Sequence, residues 1–209
     1  MLAPRSLRYI IPFYIFYTIL TVISFIYWWV APFALIVLII GVFMTYFFRD
    51  PPRDIIKNDS AILAPADGTI IQISRDNENA PFLVKIRMSP FDVHINRAPF
   101  SGTLETVERI SGKHVPVYLG TPAETNEKAI QTYVSSLGKI KIVQITGAFA
   151  RRIEVWVEEG QFVEQGEKIG MIRFGSETDL YIYSSKKIKP IVKIGEHVKA
   201  GITIVGRIL

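Results

Sequence analysis

From Tyr9 to Phe48 the chain runs for forty residues without an Asp, Glu, Lys or Arg. At 1.5 Å per residue a helix needs roughly 20 residues to cross a hydrocarbon core of about 30 Å, so forty suit two passes better than one. Tyr27, Trp28, Trp29 and Pro32 mark the reversal, because aromatic rings favour the headgroup level and proline is accommodated at a helix start. Spans near Arg8 to Tyr27 and Pro32 to Phe48 are expected. Arg5 and Arg8 precede them and Arg49, Arg53 and Lys57 follow, a bias that puts both ends and the rest of the chain on the cytoplasmic side of a cell membrane. A shallow hairpin in one leaflet is the milder version of the same anchor. A cleaved signal peptide is excluded by length, its apolar core being about 7–15 residues.

After Phe48 the composition changes abruptly to Arg49-Asp50-Pro51-Pro52-Arg53, which a helix rarely continues through. The expected division is therefore a membrane-anchoring hairpin over 1–48 and a second domain over 49–209, long enough to bury one core. With no Cys there is no disulfide, no thiolate zinc site and no Cys nucleophile, and no metal site is assigned. A net charge of +5 without a basic stripe interleaved with aromatics argues against nucleic acid and for anionic lipid as the partner. Short runs rich in Val and Ile, at Thr69 to Ile73, Phe82 to Met88, Lys139 to Ile145, Ile153 to Val157 and Asp179 to Tyr183, alternate with Gly, Pro and Asn, so the domain is mainly β. One helix is expected, near Ala123 to Ala129.

Val157, Gly160, Val163, Gly166 and Ile169 recur thirty-five residues later as Val192, Gly195, Val198, Gly201 and Ile204. Two such half-motifs resemble the paired hairpins of biotinyl and lipoyl domains, which implies a flattened β-barrel with an exposed turn between the halves at Gly175-Ser176. A carrier domain needs a Lys at that tip; Ser176 stands there, so the barrel is expected and the carrier function is not. The bland alternative is that glycine every six residues only marks β-turns.

Five further segments carry a more specific signal. They are Phe47-Phe48-Arg49-Asp50-Pro51-Pro52-Arg53; Ala64-Pro65-Ala66-Asp67-Gly68; Met88-Ser89-Pro90-Phe91-Asp92-Val93-His94-Ile95-Asn96-Arg97-Ala98-Pro99; Gln144-Ile145-Thr146-Gly147-Ala148-Phe149-Ala150-Arg151-Arg152-Ile153; and Met171-Ile172-Arg173-Phe174-Gly175-Ser176-Glu177-Thr178-Asp179-Leu180. The last resembles the self-cleavage site of the shorter phosphatidylserine decarboxylases, and the others resemble that family's motifs in family order.

The resemblance implies that the Ser176 oxygen attacks the Gly175 carbonyl, Gly permitting the strained backbone this requires. Ester formation, β-elimination and hydrolysis would leave a large chain 1–175 and a small chain 176–209 capped by a pyruvoyl group. That covalently held pyruvate is the implied cofactor, an electron sink in the place pyridoxal phosphate takes elsewhere. The implied reaction releases carbon dioxide from the serine headgroup of a membrane phospholipid and leaves ethanolamine. A serine hydroxyl needs a base beside it and a group to orient that base, and the resemblance implies His94 and Asp67 for these places. The longer family members carry a second His three residues after the first, where this chain has Arg97. His94 is left with self-cleavage, reprotonation after decarboxylation, or both.

Arg151 and Arg152 follow a glycine-containing turn, and one of them is a candidate for the lipid phosphate or the departing carboxylate, the other reading being a solvated charge pair. Arg97 and His114 are weaker substrate-binding candidates. His197 is expected to face solvent as a structural residue, and no role follows for Asn126 and Glu127. Phosphatidylserine and archaetidylserine are left equal as substrates, and the family's habit of forming dimers is an expectation only. The rival readings are a non-catalytic, membrane-anchored adaptor barrel, which predicts an intact chain, and a serine hydrolase, for which the nucleophile-elbow pattern is missing.

Overall fold

The computed structural model describes residues 1–55, 57–74, 80–115, 125–147, 152–173 and 176–209. They form two compact units, Met1–Pro52 and Arg53–Leu209.

The first unit is a helical hairpin. Helix α1 (Leu7–Ser24) and helix α2 (Ala31–Phe47) are joined by a short 3-10 turn at Trp28–Val30. Eighteen residues in α1 rise about 27 Å, close to one bilayer core, and both helices are long and apolar enough to cross a membrane. Ile11, Ile15, Phe16 and Ile19 on α1, and Leu35, Ile36 and Ile39 on α2, are exposed, an arrangement that water would penalise and lipid would not. The polar groups inside the spans bond locally: Thr18, Thr21 and Thr45 each donate to the carbonyl four residues earlier, and the Tyr14 hydroxyl meets Thr45 Oγ1 at 3.1 Å. The two ends of the hairpin meet, Asp50 N–H donating to Met1 O and Ala3 N–H to Phe48 O, each at 2.8 Å.

The second unit is mainly β. Its strands, in chain order, are β1 (Ala61–Leu63), β2 (Gly68–Ser74), β3 (Phe82–Met88), β4 (Ile95–Arg97), β5 (Gly102–Ile110), β6 (Lys128–Ser135), β7 (Gly138–Ile145), β8 (Ile153–Val155), β9 (Phe162–Val163), β10 (Lys168–Ile172), β11 (Ser176–Tyr183), β12 (Ile188–Pro190), β13 (His197–Val198) and β14 (Ile204–Ile208). An eight-stranded sheet in the order β13-β2-β3-β11-β7-β6-β5-β9 curls into a half-barrel, and two three-stranded sheets, β1-β14-β12 and β4-β10-β8, complete the unit. Ile70, Val84, Ile86, Leu104, Ile142, Val163, Ile169, Leu180 and Val198 fill the core. Burying each such side chain contributes about 1.5–3 kcal/mol. The helix expected near Ala123 to Ala129 is not formed over its described part: Lys128 and Ala129 open β6, where Ala129 is buried against the core and pairs with Arg109 and Gln144. Pairing on both sides outweighs local helix propensity.

The repeat is structural and extends beyond the segments that display it. Gly160, Gly166, Gly195 and Gly201 all have φ between 72° and 89°, which only glycine adopts without strain. Gly160 N–H donates to Leu104 O and Gly195 N–H to Ile70 O, each at 2.8 Å; Gly166 N–H donates to Ala98 O at 2.8 Å and Gly201 N–H to Ala64 O at 2.9 Å. Ala64-Pro65-Ala66-Asp67-Gly68-Thr69-Ile70 and Ala98-Pro99-Phe100-Ser101-Gly102-Thr103-Leu104 are thus matching partners of the two glycine-rich halves. β9 and β13, from equivalent places in the halves, close opposite edges of the large sheet. The lipoyl-like reading placed an exposed turn at Gly175-Ser176. Gly175 lies outside the described residues, and Ser176 is instead fully buried at the start of β11, because that strand is paired on both sides.

Candidate functional site

β11 runs between β3 and β7 in the middle of the large sheet, Ser176 opposite Met88 and Glu177 opposite Arg87 and Ile145. Side chains alternate along a strand, so Ser176, Thr178, Leu180 and Ile182 share one face and Glu177, Asp179, Tyr181 and Tyr183 the other. The Ser176 hydroxyl donates to Met88 Sδ at 3.1 Å. A thioether is a weak acceptor, so the hydroxyl is oriented while its oxygen lone pairs stay available.

His94 is fully buried in the loop between β3 and β4, and its own carbonyl accepts Ile172 N–H at 3.2 Å. The segment from Met88 to His94 therefore touches both strands that flank the junction before Ser176: Ser176 through Met88, and the end of β10 through His94. His94 Nδ1 lies 2.9 Å from the carbonyl oxygen of Asp92. A carbonyl only accepts, so Nδ1 carries the hydrogen and the neutral ring has its lone pair on Nε2, the tautomer a general base requires. The carboxylate of Asp92 accepts Ser89 N–H at 2.7 Å and faces His197 Nε2 at 2.8 Å. Burial alone would raise that carboxyl, but the Ser89 and His197 hydrogen bonds outweigh it and hold it below the usual range. His197 is thus a partner of the His94 loop as well as a solvent-facing residue.

The hydrogen bonds of Asp67 lead elsewhere. Arg53 clamps its carboxylate with two bonds of 2.7 Å, and Ala200 N–H donates to Oδ1 at 2.8 Å. The group engaging His94 Nδ1 is the Asp92 carbonyl. The turn that carries Asp67 meets the His94 motif through Pro65, whose carbonyl accepts Arg97 N–H at 2.9 Å. Arg53, one of the cations that follow the hairpin in the sequence, has its side chain almost fully buried in this ion pair, where a bidentate carboxylate compensates its desolvation.

On the other face of β11, burial first and the neighbouring Asp179 second raise the Glu177 carboxyl to about 7. Burial raises Asp179 too, against the pull of Lys85, whose Nζ lies 3.5 Å from its Oδ2. A proton held by Glu177 is shared with Asp179, because two adjacent buried carboxylates do not both ionise readily.

The remaining candidates are spread over the unit. Arg97 is buried and donates to Gly166 O at 2.8 Å. His114 Nδ1 lies 3.3 Å from Thr146 Oγ1, and its Nε2 lies 3.6 Å from Glu127. Arg152 is exposed, and Arg151 lies outside the described residues. Asn126 acquires a role: its side chain bonds Val115 N–H and O and Thr146 O, tying the 113–115 segment to the end of β7. Arg173, two residues before Gly175, is paired with Glu154.

The family model for phosphatidylserine decarboxylase matches residues 40–206, which takes in Ser176, His94, Asp67 and the strands that carry them. The chain belongs to the phosphatidylserine decarboxylase family. Relatives of bacterial and archaeal origin agree. A Streptomyces griseus phosphatidylserine decarboxylase proenzyme is 43% identical over 78% of this chain and 74% of its own length. Its counterpart from Carboxydothermus hydrogenoformans is 37% identical over 84% of each. A Methanocaldococcus jannaschii protein carrying the name archaetidylserine decarboxylase proenzyme is 37% identical over 83% of this chain and 93% of its own. In this phosphatidylserine decarboxylase family member the sequence reading missed Arg53 and Asp92. Arg53 stands in the sequence only as a cation flanking the hairpin, and the contact Asp92 makes with His94 comes from a backbone carbonyl, which its residue type does not announce.

Proposed function

We propose that this chain is the proenzyme of a pyruvoyl-dependent carboxy-lyase that converts the serine headgroup of a membrane phospholipid to ethanolamine and carbon dioxide after cutting itself between Gly175 and Ser176. Family membership supports the reaction class, and the relatives' names as proenzymes support the processing. The single observation that carries the reading is Ser176 itself, buried at the head of the central strand, its hydroxyl donating to a thioether, with the His94 loop against both flanking strands. In this reading the Ser176 oxygen attacks the Gly175 carbonyl and His94 Nε2 takes the proton. Asp92 O keeps the imidazole in the required tautomer. Asp67 supports the site as the anchor of the Pro65 turn on which β4 rests.

A serine at this position fits the group: it is the precursor residue, and the ladders to β3 and β7 would hold the new chain start in place. A pyruvoyl group formed there supplies a ketone that draws off the electrons left by the departing carboxylate. In self-cleavage the proton His94 takes from Ser176 passes to the backbone nitrogen leaving Gly175; in each later turnover His94, protonated afresh from solvent, is the group available to give a proton to the substrate carbon. Arg151, Arg152, Arg97 and His114 remain candidates for the headgroup phosphate or carboxylate. The repeat supports a barrel-sandwich ancestry for the domain, and the apolar hairpin supports anchoring of 1–48 in the cell membrane, with the arginines at its ends favouring a cytoplasmic site. The two chains 1–175 and 176–209 would stay together, and a homodimer is part of the same proposal.

Intact mass spectrometry of the purified chain under denaturing conditions, beside Ser176→Ala, tests the reading. The expected result is two chains meeting between 175 and 176, the shorter one blocked at its start, and one uncut chain in the variant. A single uncut chain in both would remove the mechanism. Vesicles of ester-linked and ether-linked serine lipids, offered to the processed protein, then separate phosphatidylserine from archaetidylserine as substrate.

A further inference from the structure

A chain of buried polar side chains crosses the core and ends beside Ser176. Tyr133 O–H donates to Gln131 Oε1 at 2.5 Å, Gln131 Nε2 to Gln144 Oε1 at 2.7 Å, Gln144 Nε2 to Asn96 Oδ1 at 2.8 Å, and Asn96 Nδ2 to Thr178 Oγ1 at 3.1 Å. Asn96, Gln131, Gln144 and Thr178 are completely buried and Tyr133 nearly so. Every donor points the same way. An unpaired amide in such a place carries the full cost of desolvation, so side chains of this kind persist only when all are satisfied together. The fold makes room for the chain: Gly170 stands opposite Asn96 in the β4–β10 pair, and a Cβ on it would fall 3.1 Å from Gln144 Nε2.

The far end is the informative one. Thr178 and Ser176 lie on the same face of β11, and the Thr178 hydroxyl, having accepted from Asn96, has Met88 Sδ at 3.8 Å, the same atom that Ser176 meets at 3.1 Å. Asn96 Nδ2 spends its other hydrogen on Pro65 O at 3.3 Å. Both hydrogens of the Asn96 amide are therefore consumed, by Thr178 and Pro65, and the serine oxygen is left with a thioether as its hydrogen-bond partner among the described residues. A hydroxyl oxygen that accepts a strong hydrogen bond is a poorer nucleophile; one that only donates weakly is a better one.

We propose that Thr178 is a positioning residue for self-cleavage, its hydroxyl capping the Tyr133–Gln131–Gln144–Asn96 chain so that the Ser176 oxygen is left to Met88 Sδ. The proposal rests on the reading of Ser176 as the processing nucleophile. Thr178→Val keeps the shape and removes the cap, freeing an Asn96 hydrogen on the face of β11 that carries Ser176. Thr178→Ser keeps the cap and removes a methyl.

The test uses the full chain, synthesised in the presence of phospholipid vesicles, and follows appearance of the 176–209 piece over time by mass spectrometry. Thr178→Val is expected to be cut at least about tenfold more slowly than the wild type, a change worth about 1.4 kcal/mol on a barrier. Thr178→Ser is expected to stay within about twofold. A merely structural role would make the slowing follow lost stability, because Thr178→Val also leaves a buried Asn96 hydrogen unpaired. Thermal denaturation of both variants in the uncut Ser176→Ala background separates the two, slowing without a matching loss of stability supporting the proposal and slowing that tracks it overturning it. Met88→Leu, which removes the sulfur and keeps an apolar side chain, is expected to slow cutting as well and keeps the test open should the valine variant fold poorly. Cutting of Thr178→Val at the wild-type pace, or equal slowing by valine and serine, overturns the proposal while leaving the reading of Ser176 intact. A wild-type chain that is never cut overturns both.

Discussion

Asp67 and Ser101 occupy equivalent places in the two halves of the repeat, each accepting one backbone N–H of the opposing turn: Ala200 at 2.8 Å for Asp67 and Gln165 at 2.9 Å for Ser101. The position is thus a turn support in both halves, and Asp67 differs in also binding Arg53 with both oxygens. Asp67→Ser should preserve the support and strand the buried guanidinium, costing about 3–5 kcal/mol of stability. Adding Arg53→Leu should recover much of that loss. Thermal denaturation of the two variants checks the prediction; a double variant no more stable than the single one would refute it.

In the proposed mechanism His94 Nε2 is the base, and its Nδ1 lies against Asp92 O. His94→Gln should retain the fold and slow appearance of the 176–209 piece by about 10²–10⁴-fold, the usual contribution of a positioned general base. Processing at an undiminished rate would transfer the role to another group.

Glu177 holds its proton up to about pH 7 in the folded chain, against 4.5 as the ordinary value. A carboxyl whose folded value is raised contributes its stability in full below the ordinary value, and that contribution is lost as pH rises through the folded one. Between pH 5 and pH 8 the wild type should therefore lose about 1–3 kcal/mol from this group. Glu177→Gln should flatten that loss and be more stable than wild type at pH 8. Urea titrations at the two pH values measure the difference, and an unchanged pH slope in the variant would rule out this origin.

Asn126 joins the 113–115 segment to Thr146 through three hydrogen bonds. Asn126→Ala leaves their backbone partners unsatisfied, and a loss of about 1–3 kcal/mol is expected. Hydrogen exchange should show faster opening at Val115 than in the wild type, with β3 and β11 unaltered.

The sequence made legible what is local or covalent. The charge-free stretch announced the hairpin, Val and Ile runs located β2, β3 and β7, and Gly175-Ser176 stood out through the motif around it. Contacts between distant segments were hidden. The matching Ala-Pro-x-x-Gly-Thr pairs at Ala64 and Ala98 were in plain view, yet their bond to the glycine repeat depends on strand pairing across about a hundred residues. Gln131 and Gln144 look like ordinary surface residues until the register of β6 and β7 puts them inside. The helix expected near Ala129 failed for the same reason: local propensity is a weak prior once neighbouring strands compete for the backbone.

The position of β11 has a bearing on how durable a processed molecule would be. The segment 176–209 supplies β11, flanked on both sides by strands from the first 175 residues, and also β13 on β2 and β14 on β1. A single cut ahead of Ser176 leaves two polypeptides woven through one another, and neither can be withdrawn without dismantling the sheet. Folding of the uncut chain is a first-order event; once cut and denatured, the same molecule would have to reassemble by encounter of its fragments, and its recovery would depend on concentration. The intact precursor is then a single-use scaffold, and the cut chain keeps its shape by never letting go of it.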